Sequence, residues 1–417
     1  MSHFTYRNGQ LCAEQVPLSE IATQFGTPCY VYSKAAFEQQ WQRLDTAFGT
    51  HQHTICYAVK ANSNLAVLNL LAKLGSGFDI VSEGELRRVL LAGGDPSKVV
   101  FSGVAKSRRE IEFALNNKIR SINIESVAEL ERVQEIAQAM NLVAPIALRV
   151  NPDVDPQTHP YISTGMEKAK FGITMDAAYK AYQLANDMSN IEVHGIACHI
   201  GSQITTSSPF TDAVDKVLEL VARLTQSGIL LKQLDLGGGL GIDYQGETPP
   251  TAQDWISTLL DSLARHDIQL PVSIEPGRYI AGNSGVLLTR VEYLKSNSTK
   301  NFAIVDAGMN DLLRPSLYQA YHQIDNVSQA SAEPSQTYDV VGPICESADV
   351  LGYDRELSVA ANDLLAVRSA GAYGFVMASN YNSKPRPAEI IVDGEQIHVA
   401  RKRESFDDLT KGEVMLP

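Results

Sequence analysis

The run Ile55-Cys56-Tyr57-Ala58-Val59, closed by Lys60-Ala61-Asn62-Ser63-Asn64, decides how the chain is read. Unbroken apolar residues bounded by a polar stop describe a strand buried on both faces rather than a half-exposed one. Such a strand delivers one amine, that of Lys60, to an open rim. If later strands close into a barrel, this rim is the carboxyl end, where barrel enzymes place their chemistry. A lysine desolvated there becomes nucleophilic, because burial disfavours the ammonium and frees the amine to form a Schiff base with an aldehyde. A solvated lysine after an edge strand has the same local sequence, since most lysines are exposed. The rest of the chain separates the two readings.

Working outward, the pattern alternates. Strand-like runs are predicted near Ile55–Val59, Gly77–Val81, Val99–Phe101, Ser121–Ile124, Ile146–Val150, Val193–Ile200, Gln233–Leu236 and Val272–Ile274. Helical spacing of apolar residues fills the intervals, from Ala66–Leu74 through Ala252–His266. About eight βα units over about 220 residues are what a (β/α)8 barrel needs, and a doubly wound open sheet is the alternative. Ser33 is placed to cap a helix over Lys34–Phe48, whose Phe37, Trp41, Leu44 and Phe48 recur every three or four residues. Upstream, short strands turn at Asn8-Gly9 and Gly26-Thr27-Pro28.

After Gly282 the texture changes to strand-like segments separated by Gly, Asp and Asn turns, which predicts a mainly β domain. The expected division is a barrel over 34–281 and a β domain made of 282–417 joined by the strands of 1–33.

A chain of 417 residues exceeds what one core usually supports, in line with two domains. A net charge of -13 argues against a nucleic-acid or anionic-membrane surface, both of which reward clustered Lys and Arg. The opening Met1–Gln10 has no apolar core of signal-peptide length and no later run approaches a membrane span, so a cytoplasmic location is expected. Cys12, Cys29, Cys56, Cys198 and Cys345 are scattered and form no Cys-x-x-Cys pair, so neither a disulfide framework nor a structural zinc or other metal site is expected.

Three further strand ends carry unusual residues. His199-Ile200-Gly201-Ser202-Gln203 can lay an imidazole over a flat ring while the Ser202 hydroxyl faces an anion; a satisfied core histidine reads the same. Asp235-Leu236-Gly237-Gly238-Gly239 removes consecutive Cβ atoms, so that backbone N–H groups can approach phosphate oxygens, although a tight turn uses the same residues. Barrels commonly bind phosphate in the loops after strands seven and eight, which is where these glycines fall. Glu275-Pro276-Gly277-Arg278 offers an anion for a protonated ring nitrogen and a cation for a substrate carboxylate, or else a structural ion pair. A Schiff-base lysine, a stacking histidine, a phosphate cradle and an acid for a pyridinium nitrogen are together the requirements of pyridoxal 5'-phosphate.

With Cys345-Glu346-Ser347 and Gly371-Ala372-Tyr373-Gly374, these motifs resemble, in order and over nearly the whole chain, the fold-type III pyridoxal 5'-phosphate decarboxylases. The resemblance implies an alanine-racemase-like (β/α)8 barrel paired with the β domain and active sites shared across a head-to-tail homodimer. It also implies that Lys60 carries the cofactor and that Asp79 and Arg149, at the ends of strands two and five, support it. Gly277 would be among the cofactor-binding residues, and Tyr373 would close over the phosphate. Cys345 would reach the neighbouring subunit's cofactor and return a proton to the carbon that loses carbon dioxide, and a thiol suits that task. Arg278, Arg314 and Tyr318 are available for a second carboxylate and Glu346 for a second amine, so a substrate with a distal amino-acid head is expected, as in meso-2,6-diaminopimelate. Thr158–Gly165, followed by Lys170-Phe171-Gly172, resembles the family's loop over the site. Decarboxylases of ornithine, arginine or related amines, and a non-catalytic regulatory homologue, are the competing readings.

Overall fold

The computed structural model describes residues 3–155, 164, 170–329 and 333–417. It forms two compact units: one of Glu38–Asp243 with Glu247–Tyr279, the other of Met1–Phe37, Tyr244–Gly246 and Ile280–Pro417.

In the first unit eight parallel strands pair in chain order: His53–Ala58, Gly77–Ile80, Val99–Phe101, Ser121–Ile124, Ala144–Asn151, Ile191–Ala197, Gln233–Asp235 and Val272–Ile274. Ile274 of the last lies opposite Ile55 of the first, which closes the barrel. An additional strand, Ile173–Thr174, pairs with Val150 and Asn151. Parallel strands need a crossover, and the helices predicted between them supply it. Their starts are set by short polar caps. Asn64, Ser82, Ser107, Ser126 and Thr251 each accept a backbone N–H of the helix that follows, and Ser107 and Thr251 do so in complete capping boxes with Glu110 and Asp254. Asn64, Ser82, Ser107 and Ser126 follow a strand tip closely, so those βα loops are short, whereas a longer loop separates Asp235 from Thr251.

Two strand ends differ from expectation. The first strand stops at Ala58, one residue short of Val59, and Lys60 follows it as expected, within the 3-10 turn Val59–Ala61. The sixth strand stops at Ala197, short of His199. Beyond Ala197 the carbonyls of His199 and Ile200 accept Thr164 Oγ1 (3.0 Å) and the Thr164 N–H (3.1 Å), so these bonds go to a loop and not to a neighbouring strand.

In the second unit the long strand Gly285–Ser296 is the hub of a mixed sheet. It pairs antiparallel with Cys29–Ser33, Asn301–Val305 and Leu364–Val367. Cys29–Ser33 in turn pairs in parallel with Ala388–Asp393. A separate sheet holds Phe4–Arg7, Gln10–Ala13 and Val16–Pro17. The strands at the chain's start thus belong to the β unit, as expected. One helix there, Leu18–Phe25, was not expected from the sequence. It has no side-chain cap and spans only two turns, so its signal is confined to Leu18, Ile21 and Ala22, which face a core with Leu11, Val31, Val286, Leu288, Ile390 and Val392. Truncating Ile21, fully buried there, would cost about 2–5 kcal/mol.

Candidate active site

At the carboxyl end of the barrel the strand tips converge on a buried polar cluster. Lys60 donates to Asp79, which ends the second strand and is wholly buried. Asp79 Oδ1 has no hydrogen-bond partner among the described residues. Glu275, after the eighth strand, lies 3.5 Å from both Ser102 Oγ and Asn123 Nδ2. Burial first, then the negative charges of Asp235 and Asp79, push the Glu275 carboxyl well above the usual carboxylate range. The shift favours the protonated carboxyl; nearby Asp235 is itself pushed up to about 6, chiefly by burial, and its Oδ1 accepts the Gly237 N–H at 3.1 Å.

His199 is held in one protonation state. Gly238 N–H donates to its Nδ1 at 3.1 Å, so Nδ1 carries a lone pair. Burial, and then the cations of Arg149 and Lys60, hold the imidazole well below the usual histidine range, so the ring is neutral with its proton on Nε2. Arg278 reaches Ser202 Oγ from Nε (3.2 Å) and Nη2 (3.1 Å), aiming two charged donors at one point.

The glycines serve partly in another way than expected. The N–H groups of Gly237 and Gly238 are engaged inward, by Asp235 and His199. What all three glycines provide is absence of a side chain. A Cβ on Gly237, Gly238 or Gly239 would strike the carbonyl oxygen of Cys198, Glu275 or Gly201, and Gly237 and Gly239 have φ of 67° and 112°. Substitution is therefore blocked by packing as well as by backbone conformation.

Arg149 is fixed by a network the sequence did not reveal. It pairs with Glu125 Oε1 at 2.9 Å and lies 4.8 Å over the Phe171 ring. Glu125 also accepts the N–H groups of Gly103 (3.2 Å) and Gly172 (2.7 Å), and its own N–H donates to Glu129. Lys106, almost completely buried, donates to Glu129, Gly103 O and Asn123 O. Glu85 was missed as well: its carboxyl is pushed up to about 7, chiefly by burial, with Lys60 and Asp79 close enough to act on it. In sequence it reads only as the acid three residues after the cap Ser82. Asn123 and Asp235 left little signal, because their short strands each carry a second polar residue, Ser121 or Gln233.

The remaining candidates lie in the β unit. Arg314 and Tyr318 occupy one face of the helix Arg314–Tyr318, a turn apart. Cys345 is an exposed free thiol whose N–H donates to Asn382 Oδ1 at 2.8 Å; Glu346, also exposed, follows it. Asp349 holds the same loop by accepting the Ile344 N–H at 2.6 Å. Tyr373 has φ of 55° in a loop where a Cβ on Gly374 would strike the Ala370 carbonyl and Tyr30. Of the loop expected at Thr158–Gly165, all but Thr164 lies outside the described residues.

Residues 34–282 match the family model described as the pyridoxal binding domain of pyridoxal-dependent decarboxylases. The chain is 56% identical, over the full length of both, to the diaminopimelate decarboxylase of Vibrio cholerae, and 55% identical to that of Pseudomonas aeruginosa, again over both full lengths. The chain belongs to the diaminopimelate decarboxylases. Among solved structures it resembles the Helicobacter pylori diaminopimelate decarboxylase complexed with L-lysine, at 42% identity and a TM-score of 0.91 over 94% of this chain and 98% of that one. It also resembles the M. jannaschii diaminopimelate decarboxylase in co-complex with L-lysine, at 37% identity and a TM-score of 0.95 over 99% and 98%. As a diaminopimelate decarboxylase by family, the chain is a carboxy-lyase that works with pyridoxal 5'-phosphate.

The barrel residues suit that group. A buried acceptor without a donor, Asp79 Oδ1, adjoins the amine that would hold it. A neutral imidazole, a protonated buried carboxyl and an arginine fork on a serine hydroxyl supply the flat, acidic and anion-binding sides.

Proposed function

We propose that this chain decarboxylates meso-2,6-diaminopimelate to L-lysine and carbon dioxide, the last step of lysine biosynthesis, as a cytoplasmic homodimer. The observation that carries the reading is the convergence of Lys60, Asp79, His199 and Glu275 at one barrel rim in a chain of this family. Among the described residues no helix is long and apolar enough to cross a membrane.

Lys60 would hold the cofactor's carbonyl carbon, with Asp79, Arg149, His199, Ser202, the glycines Gly237, Gly238, Gly239 and Gly277, Glu275, Arg278 and Tyr373 around it. Pyridoxal 5'-phosphate, when bound, supplies the sink for the electron pair left as the carboxylate departs. Glu275 keeps its proton at the buried carboxyl, where a basic ring nitrogen can share it. His199, neutral, brings a flat ring with no charge of its own. Arg278, Arg314 and Tyr318 would take the distal carboxylate and Glu346 the distal amine. One carbon–carbon bond breaks, carbon dioxide leaves, and the Cys345 thiol returns one proton to the same carbon.

The test is to incubate the purified protein and cofactor with meso-2,6-diaminopimelate and assay lysine and carbon dioxide in equal amounts. Cofactor binding without either product, or equal turnover of ornithine, overturns the substrate assignment. Sedimentation with and without cofactor tests the dimer.

A further inference from the structure

Within the β unit, the loop that carries Cys345 is exposed and yet held throughout. Cys345, Glu346, Ser347 and Ala348 are four exposed residues in a row, where a connecting segment is ordinarily mobile. Here three successive amides are bonded: Ile344 N–H to Asp349 Oδ2 at 2.6 Å, Cys345 N–H to Asn382 Oδ1 at 2.8 Å and Glu346 N–H to the Ile344 carbonyl at 2.7 Å. Asp349 makes most of this frame. Its other oxygen, Oδ1, accepts the Met309 N–H at 2.5 Å, its own N–H donates to the Glu346 carbonyl at 3.1 Å, and its carbonyl accepts the Gly342 N–H at 3.0 Å. One residue thus closes the loop from Gly342 to Asp349 on itself and fastens it to a second loop 40 residues earlier.

Asp349 is buried, and glycines make room for it. A Cβ on Gly342 would strike Asp349 Oδ2 and the Gly308 Cα, and one on Gly308 would press on both carboxylate oxygens. Burial pushes the carboxyl up, while the Ile344 and Met309 N–H groups, then Lys384, act against that shift, so both bonds favour the ionised form. A carboxylate is costly to bury unless it is hydrogen-bonded, and these bonds go to the residue directly before Cys345 and to the neighbouring loop. Asn382, which takes the Cys345 N–H, is itself held in the left-handed region at φ 54° and ψ 29°, a conformation that Asn adopts more readily than most residues. We propose that Asp349 is a positioning residue for the proton return, setting the backbone on both sides of Cys345 so that its thiol is presented in one direction. This rests on the proposed function, in which that thiol returns the proton. Fixing a donor's direction beforehand removes an ordering cost from the step it serves.

The experiment compares Asp349→Asn and Asp349→Ala in the holoenzyme, each with Cys345 intact and with Cys345→Ala. The Asn amide keeps one acceptor oxygen where the carboxylate has two, so it loosens the loop without emptying the space; it decides the matter should the alanine variant fail to fold. Hydrogen exchange followed by mass spectrometry is expected to run about tenfold faster over 342–349 in Asp349→Asn and to stay unchanged over the strand Gln336–Val341. Lysine formation from meso-2,6-diaminopimelate is expected to slow about tenfold in kcat with Cys345 present. In the Cys345→Ala background the further loss is expected to be less than about twofold, because a group that acts through the thiol has nothing left to position. If Cys345→Ala turns over at the wild-type rate, the thiol is not the donor, and the proposed function loses that step together with the positioning role. If Cys345→Ala is slow, but Asp349→Asn leaves exchange or turnover at the wild-type level, or slows both backgrounds equally, the positioning role alone is overturned.

Discussion

Lys60 and Asp79 form an ion pair in which the acid is wholly sealed from solvent and the amine side chain is 37% exposed. The pairing fixes the direction of the amine while leaving it within reach of a ligand. Replacing Lys60 with Ala removes the group that would hold the cofactor, and turnover should fall by at least about a thousandfold together with loss of the cofactor's visible absorbance. Carbon dioxide release followed alongside the spectrum checks this, and retained turnover would remove the mechanism.

Glu275→Gln keeps the shape of a buried carboxyl and deletes its exchangeable proton. The expected loss in kcat is about 100- to 1,000-fold, with cofactor still bound. Steady-state rates against bound cofactor distinguish the two; a variant that fails to load cofactor would point to a binding role instead.

Breaking the Glu125–Arg149 pair is a stability experiment as well. Glu125→Ala leaves the Arg149 guanidinium buried without its carboxylate and the N–H groups of Gly103 and Gly172 without their acceptor. Urea unfolding of the cofactor-free protein should show a loss of about 3–5 kcal/mol. A loss within error of zero would mean that the network has another partner.

Glu85 gives a pH dependence of known sign. Its carboxyl is pushed up to about 7 in the folded chain, chiefly by burial, against about 4.3 when unfolded. Between these values the folded protein binds a proton that the unfolded chain does not, so this group's contribution to stability falls as pH rises from 4 to 7. Glu85→Gln lacks that change. The stability of the variant relative to the wild type should therefore climb across this range and level off above it, measured by urea midpoints at successive pH values. A constant difference between the two proteins contradicts the shift.

Cys345→Ala removes the proposed proton donor without disturbing the Asn382 bond, which is made by the Cys345 backbone N–H. The expected effect is a kcat lower by about 100- to 10,000-fold with KM little changed. Deuterium incorporation into the lysine formed in heavy water would report whether the remaining protonation has lost its stereochemical bias.

The eight-strand cadence, the polar residues after the first, sixth, seventh and eighth strands and the switch to β texture after Gly282 could all be read along the chain, because each is a local pattern. Lys60 and Glu275 stood out for the same reason: a charged residue directly after an apolar run has few local explanations. Glu275's neighbours did not stand out. Ser102 is 173 residues away from it in sequence, and nothing near Ser102 or Asn123 announces that closure of the barrel sets them beside that carboxyl. Helix Leu18–Phe25 escaped because two uncapped turns leave only three buried positions to show a period.

What the sequence determined by itself is therefore the order of elements and the chemical type delivered by each strand, since both follow from short-range spacing and side-chain character. Tertiary structure alone decided the state of those groups. Burial makes His199 neutral and keeps a proton on Glu275, Glu125 turns Arg149 into a fixed cation, and the Asp349 carboxylate ties Met309 to the loop that carries Cys345. Protonation and direction depend on desolvation and on partners brought from distant parts of the chain, and those exist only once the chain has closed on itself.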